Sequence, residues 1–74
     1  MDDVTRARII ETARIRFDNL IEQYEPRFAL LLTAQFRDGI IYGSQDAQIT
    51  NAVNALWEER RLELANKIFE ETRV

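Results

Sequence analysis

One stretch decides how this chain folds: EPRFALLLTAQFRDGIIYG, residues 25–43. It holds the single proline and both glycines of the chain. Pro26 has no backbone N–H and disfavours a helical conformation at Glu25, so a helix that arrives here must end or kink. Proline also suits the first position of a new helix. We therefore place a helix boundary at Pro26 and predict a second helix over residues 27–38.

This second helix is predicted to be short and apolar on all sides. A helix of about 12 residues is about 18 Å long, and one without a polar face belongs in an interior. Gly39 is predicted to end it in the left-handed conformation. Residues 39–43 then form a connector that covers the core, and a short strand that adds to a partner's sheet is the less favoured alternative. The apolar residues of the helix are Phe28, Ala29, Leu30, Leu31, Leu32, Ala34 and Phe36.

The segment before Pro26 predicts an amphipathic first helix over residues 3–24. Its apolar residues recur every three or four positions, which places them on one face. Asp2 or Asp3 is expected to cap its N-terminus. Ile15 lies on the polar side and is expected to be exposed. The sequence leaves open whether this helix continues through Pro26. The stripe consists of Ile10, Ala13, Phe17, Leu20 and Tyr24.

The segment after Gly43 predicts a long third helix over residues 45–72, capped by Ser44 or Asp46. Its apolar stripe changes face midway along its length, which indicates two different neighbours. The first stripe is Ile49, Ala52, Val53 and Leu56; the second is Trp57, Leu64, Ala65 and Ile68, with Leu62 and Phe69 further round the helix.

The unequal helix lengths predict that one copy of the chain cannot bury its own apolar surface. In an up-down-up arrangement the third helix would extend about 25 Å beyond the first. Burying an aliphatic or aromatic side chain is worth about 1.5–3 kcal/mol, so we do not expect the residues on that extension to stay in water. A third helix that bends back over its own protomer is the alternative. We therefore predict an all-α fold, a single domain over residues 1–74, that assembles as a dimeric helical bundle. The predicted extension carries Leu62, Leu64, Ile68 and Phe69.

Composition excludes several classes of protein. The chain is 46% hydrophobic and 31% charged, which is typical of a folded domain. It has no cysteine and no histidine, so it has no disulfide, no thiolate metal site and no histidine base. We expect no catalytic residue, no metal site and no cofactor. The first residues are acidic and lack the charged and apolar regions of a signal peptide. Since no apolar run reaches the roughly 20 residues of a membrane span, we expect a cytoplasmic protein.

Two constellations of residues could carry chemistry. Arg60 and Glu63 could form a buried ion pair, which we interpret as a salt bridge that fixes the register of a dimer rather than as a site for a small carboxylate ligand. The second and third helices could form a helix-turn-helix. However, residues 45–51 carry no positive charge to hold phosphates, and we do not expect nucleic acid as a partner.

The sequence therefore favours a small non-enzymatic helical protein that homodimerises and acts by protein–protein interaction. Such a protein would be a regulator, an inhibitor or an accessory protein, of the kind that phages and plasmids encode. The alternatives are a DNA-binding regulator of helix-turn-helix type and a helical-bundle enzyme that binds a small carboxylate. The sequence does not decide which apolar face binds a second copy and which binds a partner. The predicted interface residues are Trp57, Leu62, Leu64, Ile68 and Phe69.

Overall fold

The computed structural model describes residues 1–72, which form three α-helices and contain no strand. Helix α1 spans Asp3–Gln23, α2 spans Pro26–Ser44 and α3 spans Ala47–Thr72. The prediction of an all-α fold with three helices is confirmed. The bounds of α2 differ from the predicted ones, and this difference changes the packing of the whole bundle.

The boundary between α1 and α2 is a reversal of the chain and not a kink. Tyr24 and Glu25 are both extended, with ψ of 155° and 157°. The carboxylate of Glu25 then accepts hydrogen bonds from the backbone N–H groups of Arg27 (3.1 Å) and Phe28 (2.9 Å). A residue that caps the free N–H groups of a first turn starts a new helix. The two helices are therefore separate, with Pro26 as the first residue of α2.

Helix α2 runs back along α1, and α3 then runs parallel to α1. The rings of Phe17 and Phe36 meet edge to face with their centroids 5.7 Å apart. At one end of α3, Asp46 binds Arg6 near the start of α1, with 3.1 Å between nitrogen and oxygen. These contacts define an up-down-up bundle. We call the half of the bundle near the α2–α3 turn the closed end, and the half near the turn at Pro26 the open end.

Helix α2 is six residues longer at its C-terminus than the sequence predicts, because residues 39–44 are helical. The prediction that Gly39 is a left-handed cap is wrong, since neither glycine has a positive φ. The left-handed residue is Gln45, with φ 50° and ψ 35°, and its N–H donates to the carbonyl of Ile41. A glycine costs a helix about 1 kcal/mol relative to alanine. Ile40 packs against the core, and this burial offsets the cost.

Asp46 joins the start of α3 to α1. Its Oδ1 accepts hydrogen bonds from the backbone N–H groups of Gln48 (2.9 Å) and Ile49 (3.0 Å). Its Oδ2 accepts from the guanidinium of Arg6 at 3.1 Å. The N–H of Ile49 and then Arg6 stabilise the ionised carboxylate, and together they hold the pKa of Asp46 below its ordinary value. Of the two predicted caps of α3, Asp46 is therefore the one that is used.

The longer α2 removes most of the predicted extension of α3. The helices have 21, 19 and 26 residues, or about 31, 28 and 39 Å. The return along α2 nearly equals α1, so α3 extends beyond α1 by about 10 Å instead of 25 Å. Leu64 is 1% exposed within its own protomer and Ile68 is half-buried. The prediction that a single copy would leave both of them uncovered is wrong.

The core of the bundle lies toward the closed end. Four fully buried residues of α1 and α3 form its centre, and partly buried residues from all three helices surround them. Leu64, Ala29 and Thr33 are buried further toward the open end, outside this cluster. The centre consists of Ala13, Phe17, Ile49 and Val53, and the residues around it are Ile9, Ile10, Phe36, Ile40, Leu56 and Trp57.

Candidate interaction surfaces

Trp57, one of the predicted interface residues, is used inside the protomer. Its indole Nε1–H donates a hydrogen bond to Oγ1 of Thr33 at 3.2 Å. The guanidinium of Arg37 lies 4.2 Å from the centre of a Trp57 ring, within the range of a cation–π interaction. The hydroxyl of Thr33 in turn donates to the carbonyl of Ala29 at 2.8 Å. Trp57 therefore ties α3 to α2.

Thr33 is a buried hydrogen-bonding residue that the sequence analysis did not single out. It is fully buried, and a buried polar group needs a hydrogen-bond partner. A signal for it was present, because Thr33 is a polar residue in a run of apolar ones and α3 contains a single tryptophan with one N–H to satisfy.

Arg60 and Glu63 do not pair with each other. The Nε of Arg60 donates to Asp18 on α1 at 3.0 Å, and its Nη1 donates to the carbonyl of Leu56 at 3.2 Å. The side chain of Arg60 is only 12% exposed. Arg60 lies on the face of α3 that packs against α1, where Asp18 is within reach. Arg60 therefore fixes α3 to α1 and is engaged by groups of its own protomer.

The open end carries two exposed apolar faces on neighbouring helices. On α2, Phe28 and Leu31 are 47% and 53% exposed; on α3, Leu62 and Phe69 are 54% and 65% exposed. Residues three or seven positions apart share one side of a helix. The ring of Tyr24 extends the α2 face, since its centroid is 5.4 Å from that of Phe28. We call these five residues the open-end surface.

Two contacts fix these faces at the same height in the bundle. Arg27 at the start of α2 pairs with Glu71 at the end of α3, at 3.4 Å. The hydrogen bond between Trp57 and Thr33 lies about one and two-thirds turns further along α2. Leu31 lies between these two levels, as does Leu62 on α3. Of the predicted interface residues, Leu62 and Phe69 are therefore the ones that remain exposed.

An apolar concavity lies between α1 and α2. It has a volume of about 250 Å³, and Ile9, Phe36 and Ile40 supply its apolar walls. Thr5 and Thr12 border it from α1, together with Arg8. No residue of α3 lines it, so it opens on the side of the bundle away from α3. We call it the α1–α2 cleft.

Other kinds of site are not found in the described part of the chain. Among residues 1–72, no group of three or more acidic side chains lies close enough to hold a metal ion. None of the three helices has the length and apolarity needed to cross a bilayer. No known protein family, curated protein or solved structure matches this sequence. The two apolar surfaces are therefore the features of the described residues that point to a function.

Proposed function

We propose that this chain is a non-enzymatic cytoplasmic protein that homodimerises through the open-end surface and acts by binding another protein, as a regulator, inhibitor or accessory protein. One observation carries the proposal. Five large hydrophobic side chains, each between 41% and 65% exposed, lie at one end of a bundle of 74 residues. Exposed apolar side chains gathered at one end of a small protein are typical of an interaction site.

A second copy is a suitable cover for this surface. A small bundle buries little apolar area, so such domains often depend on association for stability. Burying the exposed half of one such side chain is worth about 1 kcal/mol. In a twofold symmetric dimer each of these contributions occurs twice, because the same patch is used on both copies.

The arrangement of α2 and α3 favours this proposal over a helix-turn-helix regulator. In a helix-turn-helix the two helices cross at about 90–120°. Here α2 and α3 lie side by side, in contact through Trp57 and Thr33 and again through Arg27 and Glu71. A gel shift at low salt tests the DNA-binding alternative, since phosphate contacts give an affinity that falls steeply with salt.

The experiment is a comparison of charged substitutions on two faces. Leu62→Asp and Phe69→Asp place a carboxylate on the open-end surface and should convert a dimer into a monomer, as measured by light scattering after size exclusion. Ile15→Asp is the matched control, because Ile15 is 46% exposed on α1 and lies outside that surface. It should leave the dimer intact. If Ile15→Asp dissociates the dimer and Phe69→Asp does not, the interface has been assigned to the wrong face.

A further inference from the structure

Two arginines of α1 are left without an ionic partner. The ion pairs of residues 1–72 engage six other arginines, and no carboxylate of the described residues lies within 4.0 Å of Arg8 or Arg16. The engaged arginines are Arg6, Arg14, Arg27, Arg37, Arg60 and Arg61.

One of these arginines lines the α1–α2 cleft, and the other lies next to one of its wall residues. Arg8 lines it directly. The guanidinium of Arg16 lies 5.9 Å from the centre of the Phe36 ring, which forms part of the apolar wall. The two residues are eight positions apart, which corresponds to about 12 Å along the helix axis. The cleft is therefore an apolar trough with one positive charge on its α1 edge, at Arg8, and a second one beyond Thr12, at Arg16.

The opposite edge of the cleft, on α2, has two residues without side chains beside it. Gly39 and Gly43 follow Phe36 and Ile40 by three positions each and so lie next to them on α2. A Cβ placed on either glycine would meet nothing within 4 Å. Helices approach most closely where one of them has no side chain. The α2 edge leaves room for the backbone of another helix.

We propose that the α1–α2 cleft is the docking site for an acidic amphipathic helix of a partner protein. The apolar residues of that helix would pack on Ile9, Phe36 and Ile40. Two of its carboxylates, seven or eight positions apart, would match the 12 Å between Arg8 and Arg16. The docked helix would add a fourth helix to the three-helix bundle. This inference rests on the proposed function in one respect, namely that the chain acts by binding another protein.

The cleft suits a helix better than the other occupants. A small carboxylate cannot reach two cations that are about 12 Å apart along α1. A second copy of the chain is already assigned to the open-end surface, whose residues lie on the outer faces of α2 and α3. The charge of the cleft edge is opposite in sign to the charges of an acidic helix, and charge complementarity of this kind selects the partner and speeds its association.

The test uses a defined probe and the full chain. The probe is a fluorescein-labelled helical peptide of about five turns, with one leucine stripe and two glutamates seven positions apart at its edge. A second peptide carries lysines in place of the glutamates. Fluorescence anisotropy should show that the glutamate peptide binds at least about tenfold more tightly than the lysine peptide. Added salt should weaken this binding.

Variants of the cleft separate docking from general charge. Arg8→Glu combined with Arg16→Glu should reduce the affinity for the glutamate peptide about tenfold or more. The matched control combines Arg14→Glu with Lys67→Glu, which changes the net charge equally at exposed positions that do not line the cleft. This control should bind within about twofold of the original chain.

A substitution that fills the cleft distinguishes a loss of peptide binding from a loss of folding. Gly39→Leu should raise Tm, because leucine favours a helix more than glycine does, and should nevertheless weaken binding of the glutamate peptide. The proposal is overturned if the two peptides bind equally, or if neither binds. It is also overturned if octanoate, a small carboxylate, displaces the labelled glutamate peptide as well as an unlabelled copy of that peptide does. Charge reversal at Arg8 and Arg16 that changes only the self-association of the chain would overturn it too. Failure of the dimer is read separately, from light scattering of Phe69→Asp.

Discussion

The two ends of this bundle differ in how many of their apolar side chains one chain buries completely. At the closed end, Phe17, Ile49 and Val53 are fully buried, and Asp46 caps α3 while it also binds Arg6 on α1. At the open end, Phe28 and Leu31 on α2 are about half exposed, as are their counterparts on α3. Apolar side chains are exposed at both ends, including Val4 and Tyr42 at the closed end, but the cluster of fully buried residues lies toward the closed end.

The difference arises from where the helices end. All three helices run along the closed end, where Arg6 and Asp46 hold α1 to the start of α3, whereas a second ion pair between these helices, Asp18 with Arg60, lies further toward the open end. Helix α1 ends at Gln23 and α2 begins at Pro26, so past this level only α3 continues, for about 10 Å, and a single helix cannot enclose a core. We infer that stability resides mainly at the closed end, and that the open end is where assembly should act.

The largest expected effect comes from breaking the closed end. Phe17→Ala removes a fully buried ring that meets Phe36 edge to face, and should cost about 3–5 kcal/mol of unfolding free energy. Urea denaturation measures this. Phe69→Ala is the control at the open end. It should cost less than about 1 kcal/mol, because the ring is 65% exposed. Equal losses at the two sites would contradict the comparison.

The next effect tests the contact that separates the two ends. Thr33→Val keeps the shape of the side chain but leaves the Nε1–H of Trp57 without its acceptor. The unpaired donor should cost about 1–3 kcal/mol, and the fluorescence maximum of the single tryptophan should shift. Thr12→Val is the control, since Thr12 is exposed on α1, and it should be nearly neutral. An unchanged spectrum for Thr33→Val would contradict the assigned hydrogen bond.

A smaller effect, of opposite sign, tests why α2 extends past residue 38. Gly39→Ala adds a methyl group that meets nothing within 4 Å, at a helical position without positive φ. It should stabilise the protein by about 0.5–1 kcal/mol. Thermal unfolding monitored by circular dichroism measures this. A loss of stability would show that residue 39 is not helical in solution.

The smallest effect concerns the free energy of unfolding at low pH. The N–H of Ile49 and the guanidinium of Arg6 lower the pKa of Asp46 from its ordinary value of 3.8. A carboxylate with a lowered pKa in the folded state contributes stability above its ordinary pKa, and this contribution is lost as pH falls through the lowered value. Stability should therefore decline below about pH 4, and Asp46→Asn should decline less steeply than the original chain in that range. Identical slopes for the two proteins would count against this role of Asp46.

Sequence reasoning succeeds here where local rules decide and fails where packing overrides them. The boundary at Pro26, the caps Asp2 and Asp46 and the exposure of Ile15 follow from backbone sterics and periodicity. The end of α2 does not, because the local preference of Gly39 is outweighed by the burial of Ile40 on another helix.

The candidate sites show the same division. Leu62 and Phe69 could be predicted as exposed apolar residues from their position on α3, out of phase with its other apolar residues. The burial of Leu64 could not, since it depends on where α2 begins and ends. The α1–α2 cleft could not be predicted either, because Arg8 and Phe36 come together only when α1 and α2 lie antiparallel.

Sedimentation equilibrium of the unmodified chain decides whether the open end of a single copy is incomplete. We predict a concentration-dependent mass that reaches twice that of one chain at micromolar concentration, and the mass of one chain for Phe69→Asp. A monomer that stays monomeric up to hundreds of micromolar, with the stability of an ordinary small domain, would contradict it.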